Sequence, residues 1–325
     1  MILSRTPLRI SFVGGGSDLR AYYSYRLGAV FSTTIDKYIY VCVNHRPDGL
    51  IRVSYSKAET VDSVDKVEHD IIREALKLTG INNGVEINYM GDFPIGNAGT
   101  GLGSSSALAV GTLNALYALQ GKKISSEELA HQACEIEIEK LKRPIGKQDQ
   151  YAAAIGGFNY IEFRPDESVV VMPISLDTET LATLYENLML FNTRMATASS
   201  SVLEEQREKT KDNLEVLDAL VRLTHEIQEV LLNKNFKKFG ELLHENWIAK
   251  KKLASKITNE TLDLYYEKAR SAGAIGGKIL GSGGGGFLLF YVEKENQDKV
   301  RNALKDLQLT PFQFEPNGSN IVYQD

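Results

Sequence analysis

Alternation marks the start of the chain. In LRISFV (8–13), Leu8, Ile10 and Phe12 share one face and Arg9 and Ser11 the other, which predicts a strand with a polar, charged face. That strand runs into GGGSD. AVFSTTIDKYIYVCV (29–43) and IRVSY (51–55) are rich in β-branched and aromatic residues and predict further strands. His69 to Thr79 reads as a helix that stops at Gly80, and GVEINYM (84–90) returns to strand. Ser104, Ser105 and Ser106 open another helix, with Leu108, Leu113, Leu116 and Leu119 near one stripe and Gly121 at its end. Ser125 and Glu128 form a capping box ahead of the helix ELAHQACEIEIEKL, which Pro144 and Gly146 break. GGFNYIEF (156–163) is again strand.

The texture changes after residue 175. Residues 200–270 carry charged amphipathic helices in which Leu214, Leu217, Val221, Thr224, Gln228 and Leu231 follow helical spacing, a stripe that reads as bundle core. AIGGKIL, the loop GSGGGG and the apolar strand FLLFYV (287–292) follow, then a helix at 295–307 and a hairpin pattern, FQFE-PNGS-NIVY. The expectation is an α+β protein in two parts, residues 1–175 and 176–325.

Composition narrows the partners. The chain has 325 residues and is 43% hydrophobic, enough for a large core and two domains. Its 37 basic against 42 acidic residues leave a net charge of -5 with no long basic run, which argues against nucleic acid as main partner. Cys42 and Cys134 make neither a disulfide framework nor a CxxC site, which fits a cytoplasmic setting. Arg5 and Arg9 interrupt the N-terminal stretch, so no signal peptide is expected, and FLLFYV is too short to cross a bilayer.

The chemistry starts at GTGLGSSSA (99–107). A helix cap needs one serine and no alternating glycines. Gly99, Gly101 and Gly103 let a ligand approach the backbone closely, and the helix behind them aims free N–H groups and its positive dipole end at the loop. The reading favoured over a plain cap is a phosphate site. Two other cradles do not fit. No lysine follows Gly103 as GxxxxGK[ST] requires, and Ser104 stands where the third glycine of GxGxxG belongs.

Three motifs in order, PLRISFVGGGSD (7–18), GTGLGSSSA (99–107) and KILGSGGGG (278–286), span nearly the whole chain. Together they resemble the GHMP kinase family. A fourth stretch, PIGKQDQYAAAIGG (144–157), is similar to its branch of sugar 1-kinases. The resemblance implies a two-domain fold, the N-terminal domain like ribosomal protein S5 domain 2 and the C-terminal one ferredoxin-like. It implies an ATP- and Mg²⁺-dependent kinase acting on the anomeric hydroxyl of a small-molecule sugar phosphate, D-glycero-D-manno-heptose 7-phosphate, to give the 1,7-bisphosphate. The alternatives are a kinase of an unphosphorylated hexose such as fucose or galactose, and a sensor that binds ATP and sugar without transfer. A homodimer is compatible with it; a membrane partner is not expected.

The resemblance also implies roles. Gly99, Gly101, Leu102, Gly103, Ser104, Ser105 and Ser106 would hold the nucleotide phosphates, and Ser105 and Glu137 the metal, with Glu139 as the alternative glutamate. Asp149 would be the general base, with Arg9 beside it; its competing reading is a helix cap. Gly14, Gly15, Gly16, Ser17 and Asp18 resemble a sugar-binding loop, completed by Thr193, Gly283 and Gly284. Lys147 reads as a phosphate neutraliser or a solvated lysine. Two positions depart from the branch. In NTRMATASSS (192–201), Thr197 stands where the branch carries an arginine and Arg194 comes three positions early. Arg20 replaces the proline expected after GGGSDL and reads as a surface residue or a distal phosphate contact.

Overall fold

The structure, a computed structural model, describes residues 1–93, 100–196 and 199–325. The first half of the chain forms β1 (Ile2–Gly14), α1 (Arg20–Tyr23), β2 (Gly28–His45), β3 (Ile51–Ser54), β4 (Ala58–Val61), α2 (Asp70–Thr79), β5 (Val85–Gly91), α3 (Ser104–Leu119), α4 (Ser126–Cys134), α5 (Gln148–Ile155), β6 (Asn159–Phe163) and β7 (Val169–Pro173). The second half forms α6 (Thr178–Asn187), β8 (Leu188–Asn192), α7 (Ser199–Glu208), α8 (Leu214–Leu232), α9 (Phe236–Lys250), α10 (Glu260–Ser271), β9 (Gly276–Ile279), β10 (Phe287–Tyr291), α11 (Gln297–Ala303), β11 (Gln308–Leu309) and β12 (Asn320–Gln324).

The first sheet runs β12-β1-β2-β5-β3-β4. β2 is long enough to serve two neighbours besides β1: residues 28–32 pair with β6 and residues 39–45 with β5. The second sheet, β11-β8-β10-β9, is antiparallel, as expected of a ferredoxin-like half. Local signals explain several ends. His69 caps α2 by accepting from the Ile72 amide, and Gly80 closes it at φ 74°. Ser125 accepts from the Glu128 amide at the start of α4.

α3 is apolar nearly all round and lies across β1 and β2. Its mid-helix Gly111 has a steric reason: a Cβ there would come 2.6 Å from Thr6 Oγ1 of β1. The helix can therefore sit close on the strand, and Ser4 donates to the Gly111 carbonyl at 2.8 Å. This close approach fixes where the N-terminus of α3 emerges.

The polar face of β1 is buried at Arg9 and Ser11, and Arg9 lies under the glycine-serine loop. One expectation changes. The terminal hairpin does not form. Asp36 and Glu315 donate their amides to Gln313 and Thr34, which sets residues 313–315 against β2, while β12 pairs with β1. A PNGS turn signals reversal but not which strand the chain then joins. β12, at the end of the segment expected to form the second part, thus belongs to the first sheet.

The two halves also share a core. α8 and α9 pack on each other and reach β1. Phe12 of β1 meets Phe239 of α9 edge-on at 5.4 Å and Phe158 face-to-face at 6.0 Å. Phe12→Ala should cost about 3–5 kcal/mol in urea unfolding, because the cavity opens where both halves meet. A loss below about 1 kcal/mol would mean that this junction is not part of the shared core.

Candidate active site

Residues 94–99 and 197–198, and with them Gly99 and Thr197, lie outside the described residues. From Thr100 onward the loop is defined by its ends. The residue that caps α3 is Gly103, at φ 79° and ψ 25°, with no side-chain cap. Ser104, Ser105 and Ser106 are therefore the first helical turn, whose N–H groups have no acceptor within the helix. This arrangement offers an anion three main-chain donors and the positive end of a 16-residue helix.

Arg9 sits beneath this loop with 4% of its side chain exposed. Its amide donates to the Leu102 carbonyl at 3.0 Å and its Nη1 to the Gly101 carbonyl at 2.6 Å. Nε and Nη2 grip both oxygens of Asp149, at 2.7 and 2.9 Å. Asp149 is in the first turn of α5, but the capping position belongs to Lys147, so the carboxylate is not a helix cap. It stays 24% exposed and borders Gly103, where a Cβ would lie 3.3 Å from Asp149 Oδ2. Arg9 thus links the glycine loop to a partly open carboxylate.

A backbone irregularity turns the two candidate glutamates in different directions. After α4 the chain continues as a π-helical turn, Glu135–Lys140. The wider turn changes the angle between successive side chains, as π-turns at functional sites do. Glu137 turns inward with none of its side chain exposed, while Glu139 faces outward to Arg20 at 3.2 Å. Ser105 and Ser106 both donate to Glu137, Ser106 at 2.6 Å, and Gln150 donates at 2.7 Å. Arg143 bridges Glu137 Oε1 and Ser105 Oγ, each at 3.0 Å. Burial pushes the Glu137 carboxyl up and the four donors oppose it.

A pocket of about 70 Å³ lies between the halves beside Asp149, reached also by Arg9, Gly15, Gly16 and Asp18. Asp18 accepts from the Gly16 amide at 2.9 Å and from Gln148 Nε2 at 2.9 Å. Burial, and then the nearby Asp149 charge, push its carboxyl up. Other residues expected at the acceptor face elsewhere. Ser17 is buried on Ala29, donating to its carbonyl and accepting from its amide. Gly14 donates its amide to Asn246 of α9. Thr193 holds the Gly286 carbonyl at 2.8 Å, and Gly283 and Gly284 pack on Ile257 and Lys256. These five shape the loops but do not line this pocket. Lys147 is tied to Glu167 at 2.7 Å, and Arg194 is exposed and paired with Gln308 at 3.3 Å.

The third glycine motif reaches the site through Gly281 and Ser282. A Cβ on Gly101 would lie 2.6 Å from the Leu280 carbonyl, and one on Gly281 would lie 2.4 Å from Gly101 Cα. The two loops touch backbone to backbone, so neither position admits a side chain.

Comparison with known proteins decides the family. A model of the GHMP kinases N terminal domain matches residues 66–157, and one of the GHMP kinases C terminal domain matches residues 227–307. The chain is 30% identical to the D-glycero-alpha-D-manno-heptose 7-phosphate kinase of Campylobacter jejuni, covering 98% of this chain and 97% of that protein. The chain belongs to the GHMP kinase family. As a member it is an ATP-dependent phosphotransferase. Among solved structures, a D-glycero-D-manno-heptose 1-phosphate kinase from Bacteroides thetaiotaomicron matches over 100% of both chains at 27% identity and TM-score 0.83. The galactose complex of Lactococcus lactis galactokinase, at 21% identity and TM-score 0.77 over 98% of this chain and 94% of that one, shares the fold.

Sequence reasoning missed three residues that line the pocket beside Asp149 in this kinase: Lys250, Gln206 and Ser282. Lys250 ends α9 and donates to the Gly281 carbonyl. Burial first, and the Arg9 charge second, bring its ammonium down to about 8. Lys250 and Gln206 come from charged amphipathic helices, where such residues ordinarily read as a solvated face. Gly281→Ala tests the loop contact. Turnover should fall about 100-fold, because the cradle must shift by an ångström or more, while far-UV circular dichroism stays unchanged. Undiminished turnover would show that the loops need not touch.

Proposed function

We propose that this kinase transfers the γ-phosphoryl group of ATP to the anomeric hydroxyl of a sugar, D-glycero-D-manno-heptose 7-phosphate, giving the 1,7-bisphosphate. One observation carries the sugar reading. Gln148 Oε1, Gln206 Nε2 and Ser282 Oγ are buried polar atoms with no hydrogen-bond partner among the described residues, and all three side chains line the pocket beside Asp149. Unpaired buried polar groups are costly, and several converging on one pocket call for a ligand rich in hydroxyls. The heptose relatives support the choice of sugar.

On this reading each residue has a role that the geometry supports. The first-turn amides of α3 receive the phosphates. Asp149, held in both oxygens by Arg9, accepts the hydrogen bond of the attacking hydroxyl and takes its proton as the new O–P bond forms and the bond to the leaving ADP oxygen breaks. Lys250 adds positive charge on the acceptor side. Glu137 and Ser105 would hold Mg²⁺ in place of the Arg143 guanidinium that bridges their oxygens: a carboxylate and a hydroxyl supply two hard oxygen ligands, and phosphates and water commonly complete such a shell. When bound, that ion would neutralise phosphate charge. A sensor that transfers nothing needs no general base.

The direct test is ³¹P NMR with Mg-ATP and an acceptor panel: heptose 7-phosphate, mannose 6-phosphate, fucose and galactose. The reading expects a new anomeric phosphate signal with heptose 7-phosphate, and a signal with a free hexose alone would replace it. Asp149→Asn should lower turnover by about 10²–10⁴-fold; near-normal turnover would remove Asp149 from the chemistry. The acceptor kcat/KM should fall as pH rises through about 8, where Lys250 loses its proton. The sign follows from the ammonium being charged below that pH and neutral above it. Lys250→Arg stays charged and should shift this limb to higher pH. An unchanged limb would assign it to another group.

A further inference from the structure

We propose that a cationic cavity next to the acceptor pocket, with Arg20, Lys142 and Arg207 on its wall, binds the distal phosphate of the acceptor and makes the kinase select a phosphorylated sugar. The inference rests on the sugar-kinase reading above and adds what recognises the far end of the substrate. The cavity measures about 240 Å³. Arg20, Lys142, Arg143 and Arg207 line it against one carboxylate, Glu139. A surplus of cations in a concave site, supplied from both halves of the molecule, is suited to a phosphate dianion.

Its position supports the assignment. Leu19 and Ile145 line both this cavity and the acceptor pocket, so the two share a wall. None of residues 100–106 lines it, and Arg143 on its wall reaches that loop by donating to Ser105 Oγ at 3.0 Å. Arg143 is held by Glu137, Ser105 and Asp70, and Lys142 lies 4.0 Å from Glu139 with most of its side chain exposed. Arg20 is oriented by Glu139 at 3.2 Å and Glu167 at 2.7 Å, and Arg207 by Glu204 at 3.3 Å. Both keep about half of their side chains exposed. Lys142 sits at φ 54°, a conformation glycine adopts freely and lysine seldom does. Arg194 does not line the cavity and faces Gln308.

The test compares matched acceptors, D-glycero-D-manno-heptose 7-phosphate and the same heptose without its phosphate, in the wild type and in the double variant Arg20→Glu/Arg207→Glu. The KM for the phosphorylated acceptor should rise about 100-fold. The KM for ATP and the rate with free heptose should not change. Equal losses with both acceptors, a raised KM for ATP, or a surviving preference for the phosphorylated sugar would each overturn the proposal. Were the wild type to phosphorylate neither heptose, the substrate reading would fall and binding would judge the cavity alone. Without ATP, ³¹P line broadening of heptose 7-phosphate by the wild type should then be lost in the double variant. Broadening that persists in the variant, or is absent from the wild type, would overturn it.

Discussion

The site depends on one buried cation. Arg9 is nearly inaccessible, and an isolated charge in such a place would be prohibitively costly. It is tolerated because each face of the guanidinium is used: Nη1 on the Gly101 carbonyl, Nε and Nη2 on Asp149. The planar fork matches a carboxylate in two places at once, which a lysine cannot do. A strand, a phosphate loop and a helix are thereby tied to one group. The alternation seen in LRISFV is the sequence trace of this arrangement, a strand whose polar side is reserved for the site.

Around that cation the fold brings three backbones unusually close. Gly111 lets α3 press onto β1, which sets the helix whose first turn faces the phosphates. Gly101 and Gly281 let loops from opposite halves meet without side chains between them. The acceptor pocket then lies at the junction, with Asp18 and Asp149 from one half and Lys250, Gln206 and Ser282 from the other. Neither half contains the site alone, and the shared core at Phe12 fixes their relation.

Much of this was legible in the sequence, because close backbone approach demands glycine and phosphate cradles demand helix N-termini. The long strands of the first sheet followed from alternation and β-branched runs, and the Arg9–Asp149 and Ser105–Glu137 neighbours from the family resemblance, while the short strands β4, β7 and β11 gave no such signal. What could not be read has particular causes. A regular helical wheel cannot choose between Glu137 and Glu139, because a π-turn alters the wheel between them. Ser17, Thr193 and Gly283 lie in the expected loops, yet a motif does not say which of its residues face the ligand and which brace the loop. Lys250 is buried only because a loop some 30 residues on folds over it, which the local charge pattern around α9 gives no sign of. The last strand was placed in a hairpin because turn chemistry is local and strand partnership is not.

The central claim is that Arg9 and Asp149 act as one unit. A double-mutant cycle on kcat, with Arg9→Lys, Asp149→Asn and the two combined at saturating ATP and acceptor, tests it most directly. Residues that work through each other give strongly non-additive losses. The account predicts that the double variant is no slower than the slower single variant. Losses that multiply would show the two acting independently and would contradict it.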